Sequence, residues 1–594
     1  MRWNLDDLYT SFESREFLED LAATKREIRD LKEWTEENFV HKDSKYWHAD
    51  RKLARAAIET YVNRVNNFKL GEKLMAYTNL RRAEDDSDEE AIKYEEKLRL
   101  LLANLVETDA LFRIFVSVMR NLTYLVRYSE LLKPYEEFIM AIWLRKRHLL
   151  STKEEFMMAK MKTTGSSSWA NLRNRTIAKM KVEIDIEGEK KFLGLTAVRD
   201  MAYSPDQETR KNAYFAELES YKEVEGTCAI ALNAIKGEIC TVYKMRNFHS
   251  PLHMTLIRYR MGDLTLHAML EIIEDALPSL QKFFRKKAEI LGHKNGLPFY
   301  DLFAPIGKAE MTFTFDEAKE FIVRHFTQFS ERMGKFANRA FNRNWIDAEI
   351  RDGKNLDAFC YNIHAIGQSR ISINFDGSYR SVKSLAYQLG RAYHGECVKK
   401  APKLRADYTP PTAEIAATFC EAIITNGALK EATEEQKYGI LEEELSRGLH
   451  LIVDMYSHFV FERAFFDMRE EGPISLDTMK ELMEEAQKVA YGDSLDPDYL
   501  HKYMWINKAE YYDANYNFYN FPYTYGFLFS QSMYNKCKDG GKHFVHDFEE
   551  MMLRSGYSRV EKIGDWARLD VRMKGYYRMA LGDIQEKIDK FCSM

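Results

Sequence analysis

Two segments of the chain carry polar side chains at a spacing that could support chemistry. In the first, Tyr387, Arg391 and His394 stand four and three residues apart, so they share one face if the segment is helical. In the second, Glu414 and Glu421 stand seven residues apart and likewise share a face. A guanidinium and a carboxylate can form a forked, charge-assisted ion pair. If the two faces meet, Arg391 is predicted to pair with Glu414 or Glu421.

The surrounding pattern indicates which elements hold these segments. Apolar residues recur at intervals of three and four along most of the chain, and only 12 prolines and 28 glycines interrupt 594 residues, so long helices are expected. Alternation with a period of two occurs at 181–186 and at 369–375 and predicts two strands. The second of these precedes the segment that carries Tyr387. The sequence therefore predicts a mainly α protein with a small β element near the candidate site.

The segment 384–394 resembles the helix around the His-Glu-x-x-His motif of the oligoendopeptidase F and thimet oligopeptidase family of zinc metallopeptidases. The resemblance implies a two-lobed helical fold that encloses a channel, with the active site on its floor and short peptides as substrates. We predict an N-terminal helical lobe over 1–190 and a peptidase-like lobe over 191–594. The resemblance is also carried by the segments 291–292, 300–305, 345–348, 373–375, 413–421 and 518–526.

The family's catalytic groups do not carry over to this chain. In the family, two histidines and a glutamate on the next helix bind zinc, and a glutamate beside the first histidine is the general base. The matching positions here are Tyr387, Arg391 and Glu414 for the ligands and Gln388 for the base. Arginine stays protonated, a tyrosine is a poor zinc ligand at neutral pH, and an amide cannot accept a proton. Glu510 stands where the family has a further catalytic histidine. We therefore predict no zinc, no other cofactor and no peptidase chemistry.

The spacing suggests what replaces the metal. Arg391 is predicted to occupy the cation's place beside Glu414 and Glu421, which would spare two buried carboxylates an uncompensated charge. Two alternatives remain open. In the first, the ion pair only restores a stable core after the loss of the metal; in the second, the site binds a ligand, and Arg391 binds its carboxylate or another anionic group. A displaced metal site formed by His364 and His394 with Glu414 is a further, weaker alternative.

A peptide-binding channel can persist in a chain that has lost the catalytic groups. The resemblance implies that Tyr519 and Tyr523 face the channel, where the family's tyrosines hydrogen-bond the substrate. The stretch 358–361, with Phe359, matches the family's edge strand, which pairs with an extended peptide through backbone groups. The predicted ligand-binding residues are thus Phe359, Arg391, His394, Glu414, Glu421, Tyr519 and Tyr523.

Composition excludes several other classes of function. The 87 basic and 92 acidic residues give a net charge of −5, so no positive field favours nucleic acid as a partner. No signal segment or apolar run long enough for a membrane occurs, and we expect a cytoplasmic protein without a membrane partner. The seven cysteines form no Cys-x-x-Cys pair, so neither a disulfide framework nor a cysteine zinc site is indicated.

These observations predict a catalytically inactive protein of the oligoendopeptidase F type, which binds a peptide or small molecule in its channel in a binding or regulatory role. An active paralogue or a second copy of the chain is a further candidate partner. The first alternative is an enzyme that needs no zinc, in which Arg391, Glu414, Glu421 and Glu510 act on a small or modified substrate. The second is residual peptidase activity through a displaced metal.

Overall fold

The structure, a computed structural model, describes residues 1–40, 44–186, 188–306, 311–351, 353–354 and 358–593, and its architecture is dominated by helices. Within these ranges, ten α-helices precede the first strand. Several begin at a side-chain cap, as at Asp50 and Ser151, whose oxygens accept hydrogen bonds from the first helical turn. These helices are α1 (Arg15–Thr35), α2 (Ser44–Ala49), α3 (Arg51–Asn67), α4 (Leu70–Glu84), α5 (Glu89–Leu102), α6 (Asn104–Val118), α7 (Leu122–Arg127), α8 (Glu136–Leu144), α9 (Thr152–Thr164) and α10 (Ser166–Ala178).

The strands form two small sheets. The strands β1 (Lys181–Ile186) and β2 (Glu189–Gly194) pair antiparallel, which confirms the predicted strand at 181–186. The second sheet has the order β3 (Ile346–Asp347), β5 (Gln368–Ser372), β4 (Phe359–Ile363), with β3 parallel and β4 antiparallel to β5. The alternating pattern at 369–375 therefore predicts β5, but that strand ends at Ser372. The mainly helical fold with a β element near the candidate site is confirmed.

The remaining helices build the larger part of the molecule. A π-helical turn, His450–Asp454, joins two of them. They are α11 (Leu195–Asp200), α12 (Gln207–Tyr221), α13 (Glu225–Met245), α14 (Pro251–Tyr259), α15 (Asp263–Ile290), α16 (Phe315–Phe329), α17 (Glu331–Asn342), α18 (Tyr379–Val398), α19 (Lys403–Ala406), α20 (Pro410–Glu431), α21 (Glu434–Leu449), α22 (Met455–Arg469), α23 (Leu476–Tyr491), α24 (Met504–Asn507), α25 (Phe521–Arg554), α26 (Val560–Trp566) and α27 (Lys574–Ser593).

The buried apolar residues form one large cluster and two smaller ones. The large cluster runs from Met180 to Phe591, and the smaller ones draw on residues 3–98, together with Ile363, and on residues 31–142. The division into lobes at residue 190 stays a prediction. Within the described ranges, no helix is both long and apolar enough to cross a bilayer.

Two glycines allow the helices around the candidate site to approach closely. A Cβ at Gly390 of α18 would lie 2.5 Å from the Ala416 carbonyl oxygen of α20, and one at Gly526 of α25 would lie 2.3 Å from Cβ of Glu414. Only glycine fits these two contacts without movement of the backbone. The α18–α20–α25 contact therefore depends on Gly390 and Gly526, and it places the middle of α18 beside Glu414.

Candidate functional site

A cavity of about 1250 Å³ lies against α18, α21 and the chain that leads into α25. All its lining residues fall between Tyr203 and Tyr523, inside the segment predicted as the peptidase-like lobe. Its walls mix aromatic, acidic and basic side chains, which suits a ligand with both polar and apolar parts. Seven of the residues singled out from the sequence line it: Tyr387, Gln388, Arg391, Glu421, Glu510, Tyr519 and Tyr523.

Glu414 is the fully buried centre of the contact between α18 and α20. The Tyr387 hydroxyl donates a hydrogen bond to Oε2 of Glu414, and Nη2 of Arg391 donates to Oε1 over 3.2 Å. The predicted pair of Arg391 with Glu414 is therefore present, but as a single hydrogen bond rather than a fork, because Tyr387 occupies the other carboxylate oxygen. Glu414 has no exposed side-chain surface, whereas Arg391 keeps 28%.

The protonation of Tyr387 decides what this centre can hold. Burial, followed by the adjacent Glu414 carboxylate, raises the pKa of Tyr387 well above its ordinary value, so the phenol stays neutral. Arg391 is a cation, and both carboxylate oxygens of Glu414 already accept hydrogen bonds. A divalent metal needs several deprotonated or neutral donors, and this centre offers a single carboxylate. The residues present therefore do not fit the zinc ion that the fold family implies.

Gln388 is tied to the backbone beside β4. Its Nε2 donates to the Ala358 carbonyl oxygen over 3.2 Å, while its buried Oε1 has no hydrogen-bond partner within the described ranges. This contact fixes the orientation of the amide, since only the nitrogen end can donate to a carbonyl. Gln388 thus positions the chain next to the cavity and offers no group that can take up a proton.

Glu421 does not contact Arg391 and pairs instead with Arg447 of α21. Its Oε1 lies 3.6 Å from Nε of Arg447, too far for a hydrogen bond. Burial raises the pKa of Glu421 above its ordinary value, with Arg447 and Lys383 opposing that shift. Glu414 and Glu421 therefore have separate arginine partners.

The tyrosines that precede and begin α25 lie at the cavity, as the resemblance implies for Tyr519 and Tyr523. Their rings meet edge to face with centroids 5.3 Å apart. Burial raises the pKa of Tyr519 to about 12 and raises the pKa of Tyr523 well above its ordinary value. Both hydroxyls therefore remain protonated. Both tyrosines can donate a hydrogen bond to a ligand. Glu510, in the short helical turn Ala509–Tyr512, lies on the same lining.

Four candidate residues do not line the cavity: the fully buried Glu414, and also His394, Phe359 and His364. His394 is fully buried, stacks on Tyr408 with ring centroids 3.8 Å apart, and lies 2.7 Å from Oγ of Ser555. The ring of Phe359 packs edge to face on Trp3. His364 donates from Nε2 to the Ala401 carbonyl oxygen over 2.9 Å.

The positions of these histidines also bear on the displaced metal site. Among the residues that the structure describes, no three His, Cys, Asp or Glu side chains are arranged to hold a metal ion. His364 and His394 each bond a different part of the protein and do not converge on Glu414.

A polar row that was not predicted from the sequence lies along the π-helical turn, and His450 and His458 of this row line the cavity. Oδ2 of Asp454 lies 3.2 Å from Nδ1 of His450 and 3.2 Å from Nε2 of His458. Nδ1 of His458 is 2.6 Å from the Tyr511 hydroxyl. Burial lowers the pKa of His450 to about 3, so its imidazole is neutral. The four-residue spacing His450, Asp454, His458, together with Arg447 three residues earlier, is a signal that could have identified this row.

Comparisons with known proteins agree with the fold. The family model described as "Peptidase family M3" matches residues 200–562, and that described as "Oligopeptidase F" matches residues 125–181. These matches and the helical fold define a protein of the oligoendopeptidase F-like class. The chain belongs to peptidase family M3.

Sequence relatives and solved structures match most of the chain. The group B oligopeptidase PepB of Streptococcus agalactiae is 24% identical over 79% of this chain and 78% of its own length. An oligoendopeptidase F homolog of Lactococcus lactis is 22% identical over 82% and 81%. The structure of oligoendopeptidase-F from Enterococcus faecium superposes with a TM-score of 0.71 at 17% identity, covering 96% of this chain and 98% of that one. The oligoendopeptidase F-like helical fold is therefore shown.

Proposed function

We propose that this chain is a member of its family that binds a short peptide, or a small ligand of similar polarity, without zinc and without hydrolysing it. The observation that carries the proposal is the state of Glu414. The Tyr387 hydroxyl and the Arg391 guanidinium engage its two oxygens, in the place where the resemblance implies a metal. The pair of side chains on α18 supplies the positive charge and the donors that Glu414 needs once it is buried.

The loss of hydrolysis follows from the groups that remain. Peptide hydrolysis requires a base to activate water and a positive group to polarise the carbonyl, which zinc supplies in the metallopeptidases. Gln388 cannot act as the base, because an amide does not take up a proton near neutral pH. A general base alone contributes on the order of 10²–10⁴ to rate, so the loss of both the base and the metal leaves no useful turnover.

The binding of a ligand is supported by what the cavity keeps. The hydroxyls of Tyr519 and Tyr523 and the part-exposed Arg391 face a space large enough for several amino-acid residues. These groups can hydrogen-bond the carbonyl oxygens or the carboxylate of a peptide. Peptide binding without turnover is therefore the proposed activity, and a regulatory role beside an active paralogue is the biological setting that it favours.

The proposal is tested with the purified full chain and a library of internally quenched octapeptides, with and without added zinc. We expect no increase in fluorescence in either condition, and saturable binding of dansyl-labelled peptides of the same library. Chelator-sensitive cleavage would contradict the proposal. The Glu414→Gln variant, checked for folding by circular dichroism, is the control: cleavage that persists in this variant comes from a contaminating peptidase.

A further inference from the structure

Two guanidinium groups flank the ring of Tyr387 at the wall of the cavity. Cζ of Arg391, from α18, and Cζ of Arg447, from the last turn of α21, each lie 5.8 Å from the ring centroid. The two Cζ atoms therefore lie at most twice that distance apart, although the two arginines are 56 positions apart in the sequence. Both line the cavity.

Most of the N–H groups of these two arginines are not engaged by the protein. Each guanidinium carries five N–H donors. Arg391 donates to Glu414 through Nη2 and also hydrogen-bonds Tyr519. Arg447 makes no hydrogen bond to any residue that the structure describes, and 36% of its side chain is exposed. A guanidinium with open donors at a cavity wall can bind an oxyanion through two parallel hydrogen bonds.

Lys383, which also lines the cavity, has a closer partner than Arg447 does. Its Nζ lies 2.7 Å from Glu443. The carboxylate nearest to Arg447 is Glu421 at 3.6 Å, and burial disfavours the ionised form of that group. Arg447 is thus weakly compensated, and an incoming anion would not have to displace an established hydrogen bond from it.

We propose that Arg391 and Arg447 together bind an oxyanionic group of the ligand, which in a short peptide is the C-terminal carboxylate. Both guanidiniums lie close to the ring of Tyr387, so they border the same stretch of the cavity wall. Arginine suits this role because its rigid fork matches the two oxygens of a carboxylate. This inference rests on the proposed function, since it names the ligand group that the same cavity selects, and it makes Arg447 a specificity-determining residue.

The test compares dansyl-labelled random pentapeptides that end in a free carboxylate with the same pentapeptides that end in an amide, by fluorescence anisotropy. We expect the carboxylate form to bind the parent protein about tenfold more tightly, as befits hydrogen bonds to charged groups. The Arg447→Gln variant should reduce this ratio to about twofold, and Arg447→Lys, which keeps the charge but loses the fork, should give an intermediate value.

The control removes one positive charge elsewhere in the cavity. Arg380 lines it as well but lies over the ring of Tyr203, 3.8 Å from the centroid, and 4.0 Å from Asp376. Arg380→Gln should leave the carboxylate-to-amide ratio unchanged. An equal reduction in Arg380→Gln and Arg447→Gln would mean that only the general charge of the cavity matters, which overturns the inference.

The outcomes separate the inference from the proposed function. Equal affinity of the parent protein for the two peptide forms would overturn the anion site and leave peptide binding intact. If neither form binds, the proposed function fails, and inorganic phosphate becomes the probe for the anion site. Phosphate should then raise the melting temperature of the parent protein but not that of Arg447→Gln. No such difference would overturn the anion site too.

Discussion

At the scale of single residues, the Glu414 carboxylate decides the character of the site. It is fully buried, and two side chains of α18 stabilise its negative charge. One hydroxyl donates a hydrogen bond to it, and one guanidinium forms an ion pair with it. Leaving a buried carboxylate without a partner costs more free energy than the intact contact contributes, because the group can no longer be solvated. The free energy of unfolding should therefore respond strongly to either partner.

Arg391→Ala should lower the free energy of unfolding by about 3 kcal/mol, the lower end of the range for breaking a buried ion pair. The lower end applies because Tyr387 still donates to Glu414 and Arg391 is partly exposed. Urea denaturation followed by circular dichroism measures it. The exposed Arg463, which contacts the ring of Phe459, is the matched control, and Arg463→Ala should stay within about 0.5 kcal/mol of the parent. An Arg391→Ala protein as stable as its control would refute the charge balance described here.

Tyr387→Phe should cost about 1–3 kcal/mol, since it removes a donor to a buried carboxylate without changing the shape of the ring. The ring also contacts both arginines, and the phenylalanine preserves that contact. Thermal melting compares this variant with the parent protein. A neutral effect would contradict the need of the buried Glu414 for the hydroxyl donor.

At the scale of elements, the site exists because α18, α20 and α25 approach through glycines. A methyl group at Gly390 would meet the Ala416 carbonyl oxygen at 2.5 Å, so the two helices must separate to admit it. Such a shift moves Tyr387 and Arg391 away from Glu414, since these residues lie within one turn of Gly390.

Gly390→Ala should therefore destabilise the protein by about 1–3 kcal/mol, the usual cost of overpacking, and should weaken peptide binding. Gly582 of α27 provides the matched control, because a Cβ there would meet no atom within 4 Å. Gly582→Ala should be neutral or stabilising by up to about 1 kcal/mol, since alanine favours the helix. If both substitutions had the same effect, the site would not depend on the close approach of α18 to α20 at Gly390.

The elements also show what the sequence could and could not predict. Helical periodicity places Tyr387 and Arg391 on one face, and the family resemblance sets that face against the next helix, so a pair of Arg391 with Glu414 or Glu421 could be predicted. The hydrogen bond from Tyr387 to Glu414 was not predicted. His394 shares that face too, but seven residues correspond to about 10 Å along a helix, which carries it past the cavity to Ser555. Arg447 was not predictable, since its approach to Tyr387 depends on how α21 packs.

For a related reason, the sequence could not predict on which face of β4 the side chain of Phe359 lies. Successive side chains of a strand point to opposite faces, and the sequence does not say which face of β4 borders the channel. In the structure its neighbour Ala358 lines the cavity, and Phe359 packs against Trp3 of the N-terminal segment.

At the scale of the whole molecule, buried neutral histidines couple stability to pH. Burial lowers the pKa of both His394 and His450 from about 6.5 to about 3. His450 faces the titratable or charged groups Asp454, Lys508, Arg447 and His458, whereas His394 faces only Arg391 among such groups. In the unfolded chain each imidazole takes up a proton below about pH 6.5, while in the folded chain neither does.

The free energy of unfolding should therefore fall as the pH drops from about 6.5 towards 3, by up to about 1.4 kcal/mol per pH unit for each of these histidines. Urea titrations at pH 7 and pH 5 measure the slope. His394→Phe, which keeps an aromatic ring against Tyr408, should reduce that slope by about half if His394 and His450 dominate it. An unchanged slope in this variant would show that His394 is protonated in the folded protein.

The most direct test of the central claim is the zinc content of the dialysed full-length protein, measured by elemental analysis beside the triple variant Tyr387→His, Gln388→Glu, Arg391→His. The parent protein should hold no stoichiometric zinc, because Tyr387 and Arg391 occupy both oxygens of Glu414. The triple variant, shown to be folded by circular dichroism, should bind about one zinc per chain through two histidines and Glu414. Reproducible zinc near one per chain in the parent protein would contradict the account.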